Sequence, residues 1–248
     1  MIDRVFLDEQ GADLLNLYRW TPEQALFVKT ETLPDLVPIG TFEDVPGTGM
    51  KIFIGERRPR AGQMVIRLAT HGKNHDEAFA LQREIANLAP LFRGYSRTPG
   101  GTLSIAGVSK VTRSFAGSAQ HGGAVELTVE HKSPYFWQES KSRSVAVGSA
   151  AIVNIGGQAR ADLRVSITAG GSAVINPSIL SDAGLTTWHG TIPAGQILTL
   201  DGEDVTLNGV DAALYVTGPL PYLEPGSSSL TITAAGASAV IAWKEGEL

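Results

Sequence analysis

The sequence predicts a mainly β protein of two domains, with a single α-helix in the first. Three observations lead there. Gly is abundant at 28 residues and charge is sparse at 18%, a mix that favours short strands and tight turns over helices. Short runs of alternating apolar residues, separated by Gly, Pro, Asn and Asp, recur along the chain. One segment, near residue 80, instead spaces its apolar residues by three and four.

In the first half, Val5 to Leu7 and Ala25 to Val28 read as short strands. Pro34, Pro38 and Pro46 then punctuate a stretch expected to be loop-rich, without long elements. A hairpin follows. Met50, Ile52 and Ile54 alternate with Lys51 and Phe53, Met64, Ile66 and Leu68 alternate with Val65 and Arg67, and the charged run Glu56-Arg57-Arg58-Pro59-Arg60-Ala61-Gly62 reads as the tip between them. Helical spacing follows in Ala78, Leu81, Ile85 and Leu88. Asn74 with Glu77 resembles a capping box, Asp76 and Glu77 suit the positive end of the helix dipole, and Pro90 ends the helix, predicted over 75–89. Such a helix in a strand-rich domain is expected to plug one open side of a sheet or barrel.

Strands resume at Leu103 to Ile105, Val108 to Phe115 and Val125 to Val129, closing on the aromatic cluster Pro134-Tyr135-Phe136-Trp137. Gln138 to Ser144 is charged and polar and reads as a linker, so the boundary is placed near residue 140, giving domains 1–140 and 141–248. From Val145 onward strands recur about every ten residues between turn signals such as Asp201-Gly202, Asn208-Gly209 and Pro225-Gly226, a rhythm that predicts an antiparallel β-sandwich. Ala213 to Tyr215 is taken as one of its strands.

Several classes of chemistry are disfavoured. With no cysteine, the chain has no disulfide, thiolate metal site or cysteine nucleophile. His71 and His75 have ligand-like spacing, but the residues between them read as loop and helix cap, and no acidic third ligand stands at a fixed spacing. Asp201-Gly202-Glu203-Asp204 fails the pattern of a calcium loop and reads as a hairpin turn. Neither a nucleophile elbow nor a phosphate-binding loop occurs. A carboxylate pair for glycoside hydrolysis stays open, since a sandwich brings distant residues together. Trp188, beside His189, is the candidate stacking platform for a sugar; a half-buried strand residue is the competing reading. No cofactor is expected.

The N-terminus lacks a basic and then apolar leader, and no run approaches the ~18–20 apolar residues of a membrane span. A chain folded in a cytoplasm, with no membrane partner, is the expectation. The net charge of -5 argues against a general nucleic-acid binder, yet suits a protein that surrounds DNA without gripping it.

The order of these features resembles the distal tail protein (Dit) family of long-tailed, non-contractile bacteriophages. Pro134-Tyr135-Phe136 at the end of the first domain is the most specific local match. In the second domain, Ile197-Leu198-Thr199-Leu200-Asp201, Val205-Thr206-Leu207-Asn208-Gly209, Tyr222-Leu223-Glu224-Pro225-Gly226 and Leu230-Thr231-Ile232 follow the family's order. The resemblance implies a split-barrel-like N-terminal domain that forms a hexameric ring, and a galectin-like C-terminal sandwich. It implies a structural, non-enzymatic role at the virion tail tip, in a ring hub that joins the tail tube protein to tail-tip and receptor-binding proteins. Assembly would take place in the host bacterial cytoplasm, and DNA would pass through the ring without specific binding. Arg57, Arg58 and Arg60 are the candidate subunit contact. The alternative, from a different class, is a carbohydrate-binding sandwich for host-surface recognition; an ordinary sandwich hydrolase is the third.

Overall fold

The computed structural model describes residues 3–32, 37–44, 51–60, 62–115, 121–202 and 204–247, and only the backbone of 37–44 and 51–60. Its contacts divide the chain between Phe136 and Trp137 into two compact units.

Unit 1 is built from β1 (Asp3–Leu7), β2 (Asp13–Asn16), β3 (Arg19–Trp20), β4 (Gln24–Glu31), β5 (Val37–Asp44), β6 (Lys51–Arg60), β7 (Gln63–Gly72), α1 (His75–Leu88), β8 (Gly94–Thr98), β9 (Gly101–Phe115) and β10 (Gly122–His131). Its main antiparallel sheet runs in the order β2-β1-β8-β9-β10-β7-β4-β3, and β5 with β6 makes a separate two-stranded sheet. Alternation dictates the buried face. Met64, Ile66 and Leu68 on β7 and Val125, Leu127 and Val129 on β10 point the same way and meet Leu81 and Ile85 of α1 in one core with Phe6, Phe92 and Tyr95. Each such aliphatic side chain stabilises the fold by about 1.5–3 kcal/mol through burial.

The helix begins where its capping residues place it. Asn74 Oδ1 accepts from the Glu77 N–H at 2.9 Å, and Glu77 Oε2 accepts from the Lys73 N–H at 2.9 Å, one residue earlier than a standard capping box. Pro90 enters a single 3-10 turn, Ala89–Leu91, that follows α1.

One extra residue shapes β4. Val28 pairs with Leu68 and Thr30 with Arg67, so Lys29 is bulged out of the register. Lys29 and Thr30 are both exposed as a result, and Glu31 returns to the core side opposite Ile66.

A short strand, β11 (Phe136–Trp137), stands at the division. Unit 2 then contains β12 (Lys141–Val145), β13 (Ala150–Ile155), β14 (Ala161–Asp162), β15 (Arg164–Ala169), β16 (Val174–Ile175), β17 (Ser178–Ser181), β18 (Gly184–Trp188), β19 (Thr191–Ile192), β20 (Ile197–Asp201), β21 (Asp204–Leu207), β22 (Val210–Asp211), β23 (Val216–Thr217), β24 (Tyr222–Leu223), β25 (Gly226–Thr233) and β26 (Ala237–Trp243). Two antiparallel sheets, β12-β26-β15-β20-β21-β22 and β13-β25-β17-β18-β23, share one core. Val165, Ile167, Leu198, Leu200 and Ile241 enter it from the first sheet, and Val153, Ile179, Trp188, Leu230 and Ile232 from the second. Asn208 and Gly209 both have positive φ (51° and 84°) and join the paired residues Leu207 and Val210, as a two-residue turn between twisted strands requires. Asp201 pairs with Asp204 across the expected acidic turn.

Four expectations need correction. The alternating run at 51–60 is a strand, but β6 pairs with β5 and β7 pairs with β4 and β10, so the two do not form a hairpin; Met50 lies outside the described residues. Period-2 alternation identifies strands without naming their partners. The Pro-rich stretch holds an eight-residue strand, because Pro38 sits near the start of β5 beside a register shift, where a missing N–H is tolerated. The supposed linker is in part the edge strand β12, paired with β26 from Lys141 to Val145; only Val145 is buried, so the segment reads as polar. Ala213–Tyr215 is a 3-10 turn.

Candidate functional site

Among the described residues, no group of three His, Asp or Glu is placed to hold a metal ion. His71 lies on β7 and His75 opens α1, in different elements. No described helix is long and apolar enough to cross a membrane. Groups with shifted ionisation sit in structural pairings. Glu31 accepts from Arg4 Nε at 2.6 Å and faces Arg97 Nη1 at 3.7 Å. Burial pushes the Tyr95 phenol above its ordinary value, and the Glu31 charge adds to this. In unit 2, burial of Glu245 opposes its charge, but hydrogen bonds from Lys141, the Gly156 N–H and Trp243 outweigh it and hold the carboxyl below its ordinary value.

The surface is more informative. On the side of the unit 1 sheet away from the core, Phe27, Ala69, Ala124 and Ser114 lie in register across β4, β7, β10 and β9. The small side chains of Ala69, Ala124 and Ser114 floor an open cavity of about 790 Å³, with Trp20, Phe27 and Phe115 among its lining and Lys29, Arg67, His71 and His121 among its polar groups. Trp20 is 83% exposed on its two-residue strand, an arrangement with no packing reason inside the unit.

A second cavity, of about 430 Å³, lies between α1 and the far end of β9, lined by Phe79, Arg83, Ala86, Asn87, Val111 and Arg113. Its rings form a ladder. His75 meets Phe115 at 5.1 Å, Phe115 stacks on Phe79 at 5.9 Å, and the Arg113 guanidinium lies 5.6 Å over the Phe79 ring. Neither Arg83 nor Arg113 has an ion-pair partner among the described residues. Every residue from Ser109 to Phe115 is exposed. In unit 2, the outward side of the five-stranded sheet carries exposed Ile152, Leu180 and Leu185 among Ser and Thr, without a charged side chain. Open, aromatic and basic surfaces of this kind suit contact with protein; catalysis asks for convergent polar groups in an enclosed pocket.

The residues singled out from sequence fall as follows. Arg57, Arg58 and Arg60 belong to β6, where Pro38 pairs with Pro59 and Ile39 with Glu56, so Arg57 and Arg58 occupy a register shift within a strand instead of a loop tip. Trp188 is only 4% exposed, donates from Nε1 to the Ala212 carbonyl at 3.3 Å and packs edge-on to Tyr215. Its ring face is not presented to solvent, as a sugar platform requires. Sequence reasoning did not find Trp20, Phe27, Phe79, Arg113 or Phe115. One signal was available: Phe79 stands off the apolar stripe of Ala78, Leu81 and Ile85, an aromatic on the polar side of an amphipathic helix.

No protein-family model matches the chain, and no curated protein matches it in sequence. Solved structures do match its fold. The crystal structure of the Dit protein of phage SPP1, described as a hub of the adsorption apparatus in phages infecting Gram-positive bacteria, superposes with a TM-score of 0.75 at 14% identity, over 100% of both chains. A chain of the phage P2 baseplate in its activated, calcium-containing conformation superposes with a TM-score of 0.51 at 12% identity, over 99% of this chain and 98% of that one. The chain therefore has a Dit-like fold, mainly β with one helix, along its whole length.

Proposed function

We propose that this chain is a structural protein of a bacteriophage tail tip, a Dit-like hub that assembles with copies of itself into a ring. The observation that carries this reading is the full-length fold likeness to the SPP1 hub protein, with neither chain leaving a domain unmatched. The surfaces point the same way: unit 1 exposes aromatic and cationic side chains around two open cavities, as assembly faces do. In this reading residues 1–140 form a split-barrel-like ring domain, hexameric by analogy, and residues 141–248 a galectin-like sandwich. Arg57, Arg58 and Arg60 contact the neighbouring copy, whose carboxylates are plentiful in an acidic chain. Partners are the tail tube protein, the tail-tip hub protein and a receptor-binding protein; the complex belongs to the virion, and DNA passes through it without specific binding. No enzymatic activity is part of this reading.

Native mass spectrometry and negative-stain electron microscopy of the purified chain test it. Closed rings of about six copies are expected. A chain that stays monomeric at every accessible concentration, alone and with tail tube protein, overturns it.

A further inference from the structure

The turn between β21 and β22 brings together the parts of a chemical reaction. Six asparagines occur in the chain, and the residue after each decides whether the backbone can attack the side chain. Leu17, His75, Leu88 and Ile155 follow Asn16, Asn74, Asn87 and Asn154, and a Cβ there crowds the attacking amide. Pro177 follows Asn176 and has no N–H to lose. Only Asn208 is followed by glycine. Both Asn208 and Gly209 are exposed, and among the described residues the Gly209 N–H donates no backbone hydrogen bond. The folded turn opposes the reaction, because Asn208 is held at φ 51° and its N–H donates to the Ile197 carbonyl at 2.7 Å. That restraint is local. Among the described residues β22 is a two-residue edge strand, paired only through Leu207–Val210 and Thr206–Asp211, and Val210 is 71% exposed. Short exposed edges open far more often than the whole unit unfolds.

We propose that Asn208 is a site of spontaneous deamidation, a slow and irreversible modification that loosens the edge of unit 2. Hydroxide takes the proton of the Gly209 amide, and the nitrogen forms a bond to Asn208 Cγ. The Cγ–Nδ2 bond breaks, and Nδ2 leaves as ammonia with a proton from water. The product is a five-membered cyclic imide, and water then adds to one of its two carbonyl carbons. Opening at Cγ gives an aspartate at position 208. Opening at the backbone carbonyl carbon leaves the main chain running through Cγ, an isoaspartate. Water enters and ammonia leaves, with no oxidation. Isoaspartate adds one main-chain atom to a turn that fits two residues of positive φ, so Leu207–Val210 and Thr206–Asp211 cannot both keep their register. The loosening stops at Ala212, whose N–H donates to the Val205 carbonyl at 2.7 Å and whose carbonyl accepts from Trp188 Nε1 at 3.3 Å. The modified chain keeps its core but carries one more negative charge and a loose edge from Leu207 to Asp211. The inference stands on the chemistry of this chain and does not depend on the ring.

Peptide mass mapping of the full chain, fresh and after warm storage at mildly alkaline pH, decides it. The peptide holding Asn208 should gain the mass of an NH-to-O exchange, with ammonia released in equal amount. Two products should separate, one of them a substrate for an isoaspartate-specific methyltransferase. The rate should grow in proportion to hydroxide and exceed that at any of the other five asparagines by at least about tenfold. Amide hydrogen exchange at Leu207 and Val210 should quicken in the stored protein while its circular dichroism is retained. Asn208→Gly, which keeps a two-residue turn of the preferred kind, should abolish all of this with a melt close to that of the wild type. A site that stays unmodified in the folded chain while the urea-unfolded chain reacts there overturns the proposal. So does modification at similar rates across several asparagines. Ring assembly is read on the fresh chain, so the two readings fail separately.

Discussion

Arg4 Nε donates to Glu31 Oε2 at 2.6 Å inside unit 1, joining the first strand to the end of the fourth. The Glu31 side chain is 8% exposed and that of Arg4 17%, so both charges are largely out of water. Removing one partner strands the other, which costs far more than the pair contributes. Glu31→Ala is expected to destabilise unit 1 by about 3 kcal/mol, read from its urea transition. A loss near zero would mean that Arg4 reaches solvent readily.

Gly123 on β10 is expected to refuse a methyl group. A Cβ there would press into the Ser114 carbonyl and the Gln82 amide. Gln82 is fully buried and donates from Nε2 to Thr70 Oγ1 at 3.0 Å and to the Ser114 carbonyl at 3.1 Å, fixing α1 against β7 and β9. Gly123→Ala should cost about 1–3 kcal/mol by overpacking. Gly107→Ala on β9, where a Cβ meets nothing within 4 Å, should change stability by less than about 0.5 kcal/mol. Equal effects at the two sites would contradict this account.

Acid should loosen the end of unit 2 through Glu245. Lys141 Nζ donates to its carboxylate at 2.7 Å and Trp243 Nε1 at 3.4 Å, and the carboxyl ionises below its ordinary value in the folded protein. Its contribution to stability is therefore complete above the ordinary glutamate range and disappears as pH falls through the lower, folded value. Thermal melts from about pH 7 to about pH 3 should show wild type ahead of Glu245→Gln at the upper end and the gap closing at the lower. A gap that stays constant across the series would remove the charge from the explanation.

Trp188 is a core residue, so its truncation should be felt in folding and not in recognition. Trp188→Ala is expected to destabilise unit 2 by about 3–5 kcal/mol, while Trp188→Phe recovers part of the loss. Glycan binding by the wild type that vanishes in Trp188→Phe with no change in its melt would reverse this assignment.

Local structure was legible where a few neighbouring residues decide it. Asn74 and Glu77 mark the start of α1, and Asn208-Gly209 and Asp201-Gly202 mark hairpin turns, because caps and positive-φ turns are short-range physics. Strand partners were not legible. Residues 51–60 pair with 37–44 and not with 63–72, a choice that period-two alternation alone does not make. The surface residues escaped for the same reason. Val111, Arg113 and Phe115 alternate like any strand, and only the absence of a covering layer among the described residues leaves them exposed. Trp188 was legible as a strand residue: it follows buried Thr186 at period two, and its polar neighbour His189 lies beyond the end of the strand.

The bulge at Lys29 gives β4 something like a reading frame. Before it, odd-numbered Ala25 and Phe27 face away from the core; after it, odd-numbered Glu31 faces in, towards Arg4. Deleting Lys29 would leave Val28 inward, Thr30 outward and Glu31 inward opposite Ile66, so alternation becomes strict and Glu31 keeps its place between Arg4 and Arg97, whereas deleting Val28 would put Lys29 in the inward position. A chain shortened by one residue is thus predicted to tolerate the loss of Lys29 better than the loss of Val28, which is a frameshift written in side-chain direction instead of codons.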